Sequence, residues 1–370
     1  MSSVALAAPE VPAPLRADPR LSTAWISWLR VAAIAGVVAI HTAGSTAVQP
    51  DARHTTVGVV AIVLNRAFNF AVPLFVLVSG ALVLDPARYP ATDGAFLRKR
   101  AWRLVPAIVF WHLFYWLFRV VVLDQDVPPR TALEQTLNGT LYTALYFFWI
   151  VLGLTVVSPV LVAWLRQSTR RAAIVAGAIG MAIPILTQAT VLLREAPLSW
   201  VETPWTWWIP YVGLYLMGWA LRGVRLPAWA TVVTLVVPVL VLGAVVYCFH
   251  RPGVPTWFGQ LFGGYYSLGI QVCAVSVFLA VQQLVRPGGL LRAATGPRAS
   301  RFARTVGDAT LGIFGVHLAV LYASYHLPVV GGDAEAQTVQ ELVGRVLFVL
   351  VVSAVIAVVG RRIPVVRRVL

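Results

Sequence analysis

Residues 25–44, WISWLRVAAIAGVVAIHTAG, are apolar enough to cross a bilayer, yet they include Arg30 and His41. An ionisable side chain at membrane depth costs about 2.5–3.5 kcal/mol, so it normally faces a protein interior or a water-filled cavity. On a helix, this spacing puts both side chains on one face, about 16 Å apart along the axis. The stretch therefore predicts a charged groove that runs into the membrane. A second interpretation stays open, in which Arg30 reaches the membrane surface and His41 is a packed, hydrogen-bonded residue.

The composition is that of a membrane protein. Of 370 residues, 59% are hydrophobic and 12% are charged, whereas a soluble domain is about half apolar and a quarter charged. The net charge of +15 comes from basic residues that separate apolar segments, which argues against a nucleic-acid partner. Cys248 and Cys273 lie within apolar segments and show no disulfide or metal-ligand spacing. We therefore expect an all-α polytopic membrane protein without a bound metal.

The chain contains ten apolar segments long enough to be candidate spans. They are residues 25–46, 57–84, 102–123, 138–164, 172–193, 206–222, 228–249, 262–285, 306–327 and 342–360. Basic residues concentrate in alternate loops and acidic residues in the others, which places both termini in the cytoplasm. Residues 1–20 are interpreted as a disordered cytoplasmic tail and residues 21–370 as one ten-helix domain of the cell membrane.

The second segment carries polar residues that hydrocarbon does not favour. Arg66 lies nine residues into it, and Asn69 follows three residues later. By depth, Arg66 falls in the same half of the membrane as His41, so the two are candidates to line one cavity. The alternative is a structural hydrogen bond between helices. Ser79 and Gly80, near the other end, fit close helix packing or a bend beside a ligand.

The ninth segment places His317 near the middle of the membrane, either lining the cavity or packed. Asp308, nine residues earlier, lies half a turn out of phase with His317, so the two do not share a face. We expect Asp308 to be an N-cap. His112 in the third segment is expected to be a satisfied packing residue.

A basic segment precedes the third span, FLRKRAWRLVP at 96–106. It contains Arg98, Lys99, Arg100 and Arg103. One interpretation is an anchor on the cytoplasmic surface of the membrane. The other is a cytosolic site for a polyanion, because arginine and lysine bind phosphate through charge-assisted hydrogen bonds.

Several of these motifs occur together in one known family. Arg30 and His41, with ten residues between them, resemble the R-x10-H signature of the acyltransferase 3 family of membrane-bound acyltransferases. Further similarity follows in the same order along the chain, at 73–84, 96–111, 146–161, 308–321 and 360–370. Two departures stand out. Ala144, Leu145 and Tyr146 occupy the place of a His-Leu-Trp found in many members, and Phe314 replaces a tyrosine.

The resemblance implies transfer of an acyl group, usually acetyl, from acyl-CoA to a hydroxyl of a carbohydrate or small molecule. Modification of a surface polysaccharide by O-acetylation is one such reaction. Acyl-CoA is then a donor substrate, and no cofactor is bound. A histidine with a pKa of about 6.5 is partly neutral and can take the hydroxyl proton. His41 and Arg30 are the predicted catalytic residues.

The remaining polar residues are given supporting roles on this interpretation. Contacts with the substrate or the oxyanion are predicted for Arg66, Asn69, His317 and Ser79. The predicted acyl-CoA-binding residues are Arg98, Lys99, Arg100 and Arg103.

A secondary transporter or flippase of a polar or lipid-linked substrate is the main alternative, because polar residues at the midplane of a helix bundle suit it equally well. Against it, the sequence shows no inverted repeat and no acidic residue deep in a span. A structural scaffold would not need Arg30, His41, Arg66 and His317 at depth.

Overall fold

A computed structural model describes residues 23–193, 203–250, 253–254, 258, 261–262, 264 and 266–370. The predicted tail at residues 1–20 lies outside these. The described residues form α-helices joined by turns and short 3-10 or π segments, and they contain no β-strand. The helices are α1 (Ala24–Ala47), α2 (Thr56–Ala67), α3 (Ala71–Val83), α4 (Asp93–Leu117), α5 (Pro129–Leu137), α6 (Tyr146–Leu165), α7 (Arg170–Leu193), α8 (Val212–Leu221), α9 (Ala228–His250), α10 (Leu268–Leu284), α11 (Pro297–Asp308), α12 (Thr310–Ser324) and α13 (Val339–Gly360).

Within the described residues, seven helices are long and apolar enough to cross a membrane, and the bent pair α11–α12 would make eight. The seven are Ala24–Ala47, Thr56–Val83, Asp93–Val122, Tyr146–Leu165, Arg170–Thr187, Ala228–Cys248 and Val339–Gly360. Two other predicted spans contain only shorter apolar helices, Ile209–Leu221 and Leu268–Leu284. The all-helical membrane fold is confirmed, while the count of ten and the cytoplasmic termini stay predictions.

Two segment boundaries differ from the predicted ones. The span expected at 138–164 becomes helical only at Tyr146, because Gly139 and Ala144 before it have φ angles of 68° and 70°. The basic segment of residues 98–103, expected in a loop, lies inside α4. That helix begins at Asp93, where the Thr92 hydroxyl accepts a hydrogen bond of 3.2 Å from the Ala95 amide. Arginine and lysine are good helix formers, so the helix extends beyond its apolar part.

The ninth predicted span is bent. The helices α11 and α12 meet at an angle of 65°, with Ala309 between them. Asp308 is the last residue of α11, and no side chain caps the start of α12. The expectation that Asp308 is an N-cap out of phase with His317 was therefore wrong, because it assumed one continuous helix.

The first helix lies at the centre of the bundle. It contacts α2, α3, α10, α11, α12 and α13. Of the most apolar 18 residues of α1, 56% are buried, a larger share than in any other candidate span of the described chain. Leu29, Ile34 and Val38 are fully buried along it. Polar groups on α1 are therefore held against protein.

The helices α3 and α8 approach each other through glycines. A Cβ atom on Gly80 would lie 1.9 Å from the Tyr215 carbonyl oxygen, and one on Gly218 would lie 1.9 Å from the Leu77 carbonyl oxygen. Both distances are far inside van der Waals contact, so the two backbones touch only because these positions lack side chains. Of the two interpretations of Gly80, the structure supports close helix packing.

The substitution Gly80→Ala is expected to destabilise the protein by several kcal/mol, because the added methyl group forces two backbones apart. Thermal unfolding of the purified protein in detergent measures the effect. Gly243→Ala is the matched control, since a Cβ atom there meets no atom within 4 Å. Equal melting temperatures for the two variants would contradict the packing described.

Candidate active site

Two histidines from distant parts of the sequence lie side by side. His41 is on α1 and His317 is on α12, and their ring centroids are 5.3 Å apart. His317 is completely buried. Arg30, nearer the start of α1, contacts Thr310 at the start of α12. The two helices therefore run in the same direction, and their polar side chains meet at two levels.

The hydrogen bond of His317 sets its tautomer. Its Nδ1 lies 2.6 Å from the carbonyl oxygen of Phe314. A carbonyl oxygen only accepts, so Nδ1 donates, and in the neutral ring Nε2 carries the lone pair. In the described part of the chain, this buried Nε2 has no hydrogen-bond partner. A buried acceptor without a partner is costly, and such groups call for an explanation, of which a catalytic role is one.

Arg30 binds the bend between α11 and α12. Its Nη1 donates to Asp308 Oδ1 at 2.9 Å, and its Nη2 donates to Thr310 Oγ1 at 3.2 Å. The Arg30 side chain is 20% exposed and the Asp308 side chain 57%. Gly307 allows α11 to lie this close to α1, because a Cβ atom there would be 3.2 Å from the Ser27 carbonyl oxygen. The guanidinium is thus paired with protein groups, which disfavours the interpretation in which Arg30 simply reaches the membrane surface.

The helix α2 covers α1 beside His41. Asn65 Nδ2 donates to the carbonyl oxygen of Ile40 at 2.9 Å, and Arg66 follows Asn65 in the last turn of α2. Asn69 lies in the break between α2 and α3, where it is 3% exposed. Its amide nitrogen has no hydrogen-bond partner among the described residues. The polar groups predicted from the second segment therefore lie on the helix pair that packs against α1.

Ser79 lies farther along, on α3, where it is partly buried beside the Gly80 contact. No hydrogen bond links Ser79 or Asn69 to either histidine in the chain as described.

The four basic residues of α4 divide into two environments. Arg98, Lys99 and Arg103 are exposed, whereas Arg100 is partly buried, with its guanidinium 5.5 Å from the centroid of the Phe96 ring. Arg103 lies near enough to Arg30 for its charge to act on that residue. Of the four, Arg103 is therefore placed near the Arg30 end of α1.

A basic cavity of about 390 Å³ opens at the same end, between α11 and the end of α13. Its polar lining includes Arg301, Arg304, Asp308, Arg361 and Arg362. Asp308 thus belongs both to this cavity and to the ion pair with Arg30. This cavity was not predicted from the sequence. The only sequence signal was the three-residue spacing of Arg301 and Arg304, which places them on neighbouring faces of one helix.

A second cavity lies beyond His41, at the opposite end of α1. Its volume is about 290 Å³, and its lining includes Thr46, Gln49, Thr55, Glu335 and Thr338. The loop that forms its far side is held to α1 by two hydrogen bonds. The Ser45 hydroxyl donates to the Ala334 carbonyl at 2.6 Å, and the Ala336 amide donates to Thr46 Oγ1 at 3.0 Å.

Two other sequence expectations concern aromatic neighbours. His112 is buried, and its Nδ1 donates a hydrogen bond to the Ile108 carbonyl oxygen at 2.7 Å. Its Nε2 has no hydrogen-bond partner in the described chain. The expectation that both ring nitrogens are hydrogen-bonded is therefore not met. Phe314 stands where the similar family has a tyrosine. The centroid of its ring is 5.0 Å from that of Phe147 and 5.8 Å from that of His317. It brings no hydroxyl to the histidine pair.

The chain was compared with known families, curated proteins and solved structures. The model of the acyltransferase 3 family, described as an acyltransferase domain, matches residues 23–362, nearly the whole chain. The chain belongs to the acyltransferase 3 family. No curated protein and no solved structure shows a significant match. The family resemblance and the enzyme class predicted from the sequence are confirmed.

Membership of the acyltransferase 3 family makes the protein an acyltransferase, and the groups that it transfers are not amino-acyl groups. Together with the apolar helices, it indicates a multi-pass membrane enzyme. An acyl donor and an acceptor follow from the enzyme class. The transporter alternative has no support from this match.

The ion pair of Arg30 and Asp308 is expected to show coupling in a double-mutant cycle. Arg30→Gln and Asp308→Asn should each lower the free energy of unfolding, and the double variant should lose about 1 kcal/mol less than their sum. Chemical denaturation in detergent measures the cycle. The pair Arg130 and Glu134 is the control, because its side chains are 91% and 60% exposed and its coupling should be near zero. Additive losses at Arg30 and Asp308 would contradict the contact.

Proposed function

We propose that the protein transfers an acyl group, usually acetyl, from acyl-CoA to a hydroxyl of a carbohydrate or small-molecule acceptor, with His41 as the general base. The observation that supports this most is the pairing of His41 with His317 inside the bundle. General bases work best with a pKa near the operating pH, and histidine is the side chain that meets this condition most often.

In the proposed reaction, His41 takes the proton of the acceptor hydroxyl while the oxygen attacks the thioester carbonyl carbon. The carbon–sulfur bond then breaks, the thiolate of CoA leaves, and the proton held by His41 passes to the sulfur. The lone pair on Nε2 of His317 is free to accept a hydrogen bond from His41 or from the acceptor. His317 would thereby orient the base or the hydroxyl.

The tetrahedral intermediate carries an oxyanion that needs donors already in place. Asn69 is the candidate that the structure supports best, because its amide nitrogen is buried and unpaired in the described residues. Arg66 is proposed as a second donor, since it follows Asn65, whose amide binds the carbonyl beside His41. Ser79 is proposed as a substrate contact on the same helix pair.

The two ends of α1 suit two different substrates. The exposed basic residues Arg98, Lys99 and Arg103, with Arg100 beside them, are proposed to contact the CoA part of the donor at the Arg30 end. By the loop charges, this end faces the cytosol, where acyl-CoA is found. The polar cavity at the other end offers hydroxyls, amides and the carboxylates of Asp51 and Glu335, which suit a hydroxyl-rich acceptor. The cell membrane is the proposed location.

The substitution His41→Gln is expected to lower acyl transfer by about 10²–10⁴-fold, because glutamine keeps polarity but cannot act as a base. The measurement is consumption of acetyl-CoA by purified protein in proteoliposomes, with candidate acceptors added. His317→Gln should reduce the rate less, since that ring is proposed to orient rather than to take the proton.

The control is His326→Gln, because His326 is exposed and lies outside the pair. It should retain wild-type activity. A folded His41→Gln protein that turns over at the wild-type rate would exclude His41 as the base.

A further inference from the structure

The basic cavity between α11 and α13 carries an excess of positive charge. Four arginines line it, and in the described residues none of them forms an ion pair with a carboxylate. Its one acidic residue, Asp308, is already bound to Arg30. Cations that share one cavity repel each other, and an anion bound between them relieves that repulsion. The lining therefore lacks a negatively charged partner.

The arginines converge from two helices that are far apart in the sequence. Arg301 and Arg304 come from the middle of α11, while Arg361 and Arg362 directly follow α13. Basic residues that only hold a helix end at the membrane surface have no need to share a cavity. Here they line one open depression of about 390 Å³, a volume within the range of ligand sites, roughly 300–1,000 Å³. Arg301, Arg304 and Arg362 are exposed in it, so a ligand can reach them from solvent.

The cavity adjoins the Arg30 end of α1. Asp308 lines it and also binds Arg30, and the charge of Arg361 acts on Arg30 as well. From Arg30, the helix leads to His41 over about 16 Å. A phosphate group held among the arginines therefore lies at the Arg30 end of α1, and a ligand must extend along the helix to reach the histidine pair.

We infer that this cavity binds the phosphate groups of the acyl donor. The inference rests on the proposed function for the identity of the donor. Arginine binds phosphate through two parallel hydrogen bonds and keeps its charge at any physiological pH. The cavity is large enough for a phosphate or diphosphate group, and the thioester arm of the donor extends from it towards His41.

A phosphate group can also belong to an anionic lipid headgroup, so the experiment separates the two sources. Binding of CoA and of adenosine 3′,5′-bisphosphate to the full-length protein in detergent is measured by calorimetry. Kinetic constants are measured with acetyl-CoA and with S-acetyl-N-acetylcysteamine, a thioester without phosphates. The variants are Arg301→Gln, Arg304→Gln and Arg361→Gln. Arg298→Gln is the matched control, an exposed arginine of α11 outside the cavity lining.

Each cavity variant should raise the Kd of CoA and the KM of acetyl-CoA about tenfold, since a charge-assisted hydrogen bond is lost. The value of kcat should stay within about twofold. The KM of the phosphate-free thioester should not change, and Arg298→Gln should behave as the wild type with both donors. A change of KM for one donor alone distinguishes phosphate binding from a general structural defect.

Three results would count against the proposed site or its setting. Cavity variants that keep the wild-type Kd for CoA and the wild-type KM for acetyl-CoA would overturn the site. If the wild type still turns over acetyl-CoA, the proposed function stands in that case. Variants that lose binding to vesicles containing phosphatidylglycerol, but not to CoA, would assign the cavity to a lipid headgroup and overturn the inference. No turnover of acetyl-CoA by the wild type would overturn the proposed function, and arginine-dependent binding of inorganic pyrophosphate would then still support an anion site.

Discussion

Arg30 joins the first helix to the bend between α11 and α12, and the polar arrangement of the bundle depends on this contact. A guanidinium on a buried helix needs hydrogen-bond acceptors, and the bend provides two, on Asp308 and Thr310. Farther along the same two helices, which run in one direction, His317 lies beside His41. The ion pair and the two imidazoles are thus two polar contacts of one helix pair.

The polar features are arranged in sequence along α1. A basic cavity lies at the Arg30 end, the histidine pair follows, and a second polar cavity lies beyond His41. Apolar helices enclose this line, with fully buried side chains such as Leu29 and Ile34 facing the core. The proposed reaction joins a charged donor to a hydroxyl acceptor, and the two cavities lie on either side of its proposed site.

Helical periodicity was sufficient to predict the polar face of α1. Arg30 and His41 lie on one face of this helix however the other helices pack around it. The partner of His41 was beyond sequence reasoning. It depends on a bend at Ala309 that no proline marks, and the assumption of a straight helix led to the wrong role for Asp308. The basic cavity was missed for a related reason. Arg304 and Arg361 are brought together only by tertiary packing, and their positions in the sequence do not indicate that they share a cavity.

The extent of the spans was predicted only in part. Apolar runs locate helices well, but they do not show where a helix breaks, as at Phe68–Phe70, or where it starts late, as at Tyr146. Glycine contacts such as that of Gly80 with the Tyr215 carbonyl oxygen are set by the neighbouring helix. Local patterns therefore predicted the class of fold and one face of its central helix, and tertiary contacts decided the rest.

The central claim is that the chemistry takes place beside the pair of His41 and His317. An experimental structure with a non-hydrolysable thioether analogue of acetyl-CoA tests it most directly. The account predicts the acyl end of the analogue next to these two rings, and its phosphates at the Arg30 end of α1. An acyl end bound elsewhere, for example beside His112 between α4 and α6, would contradict it.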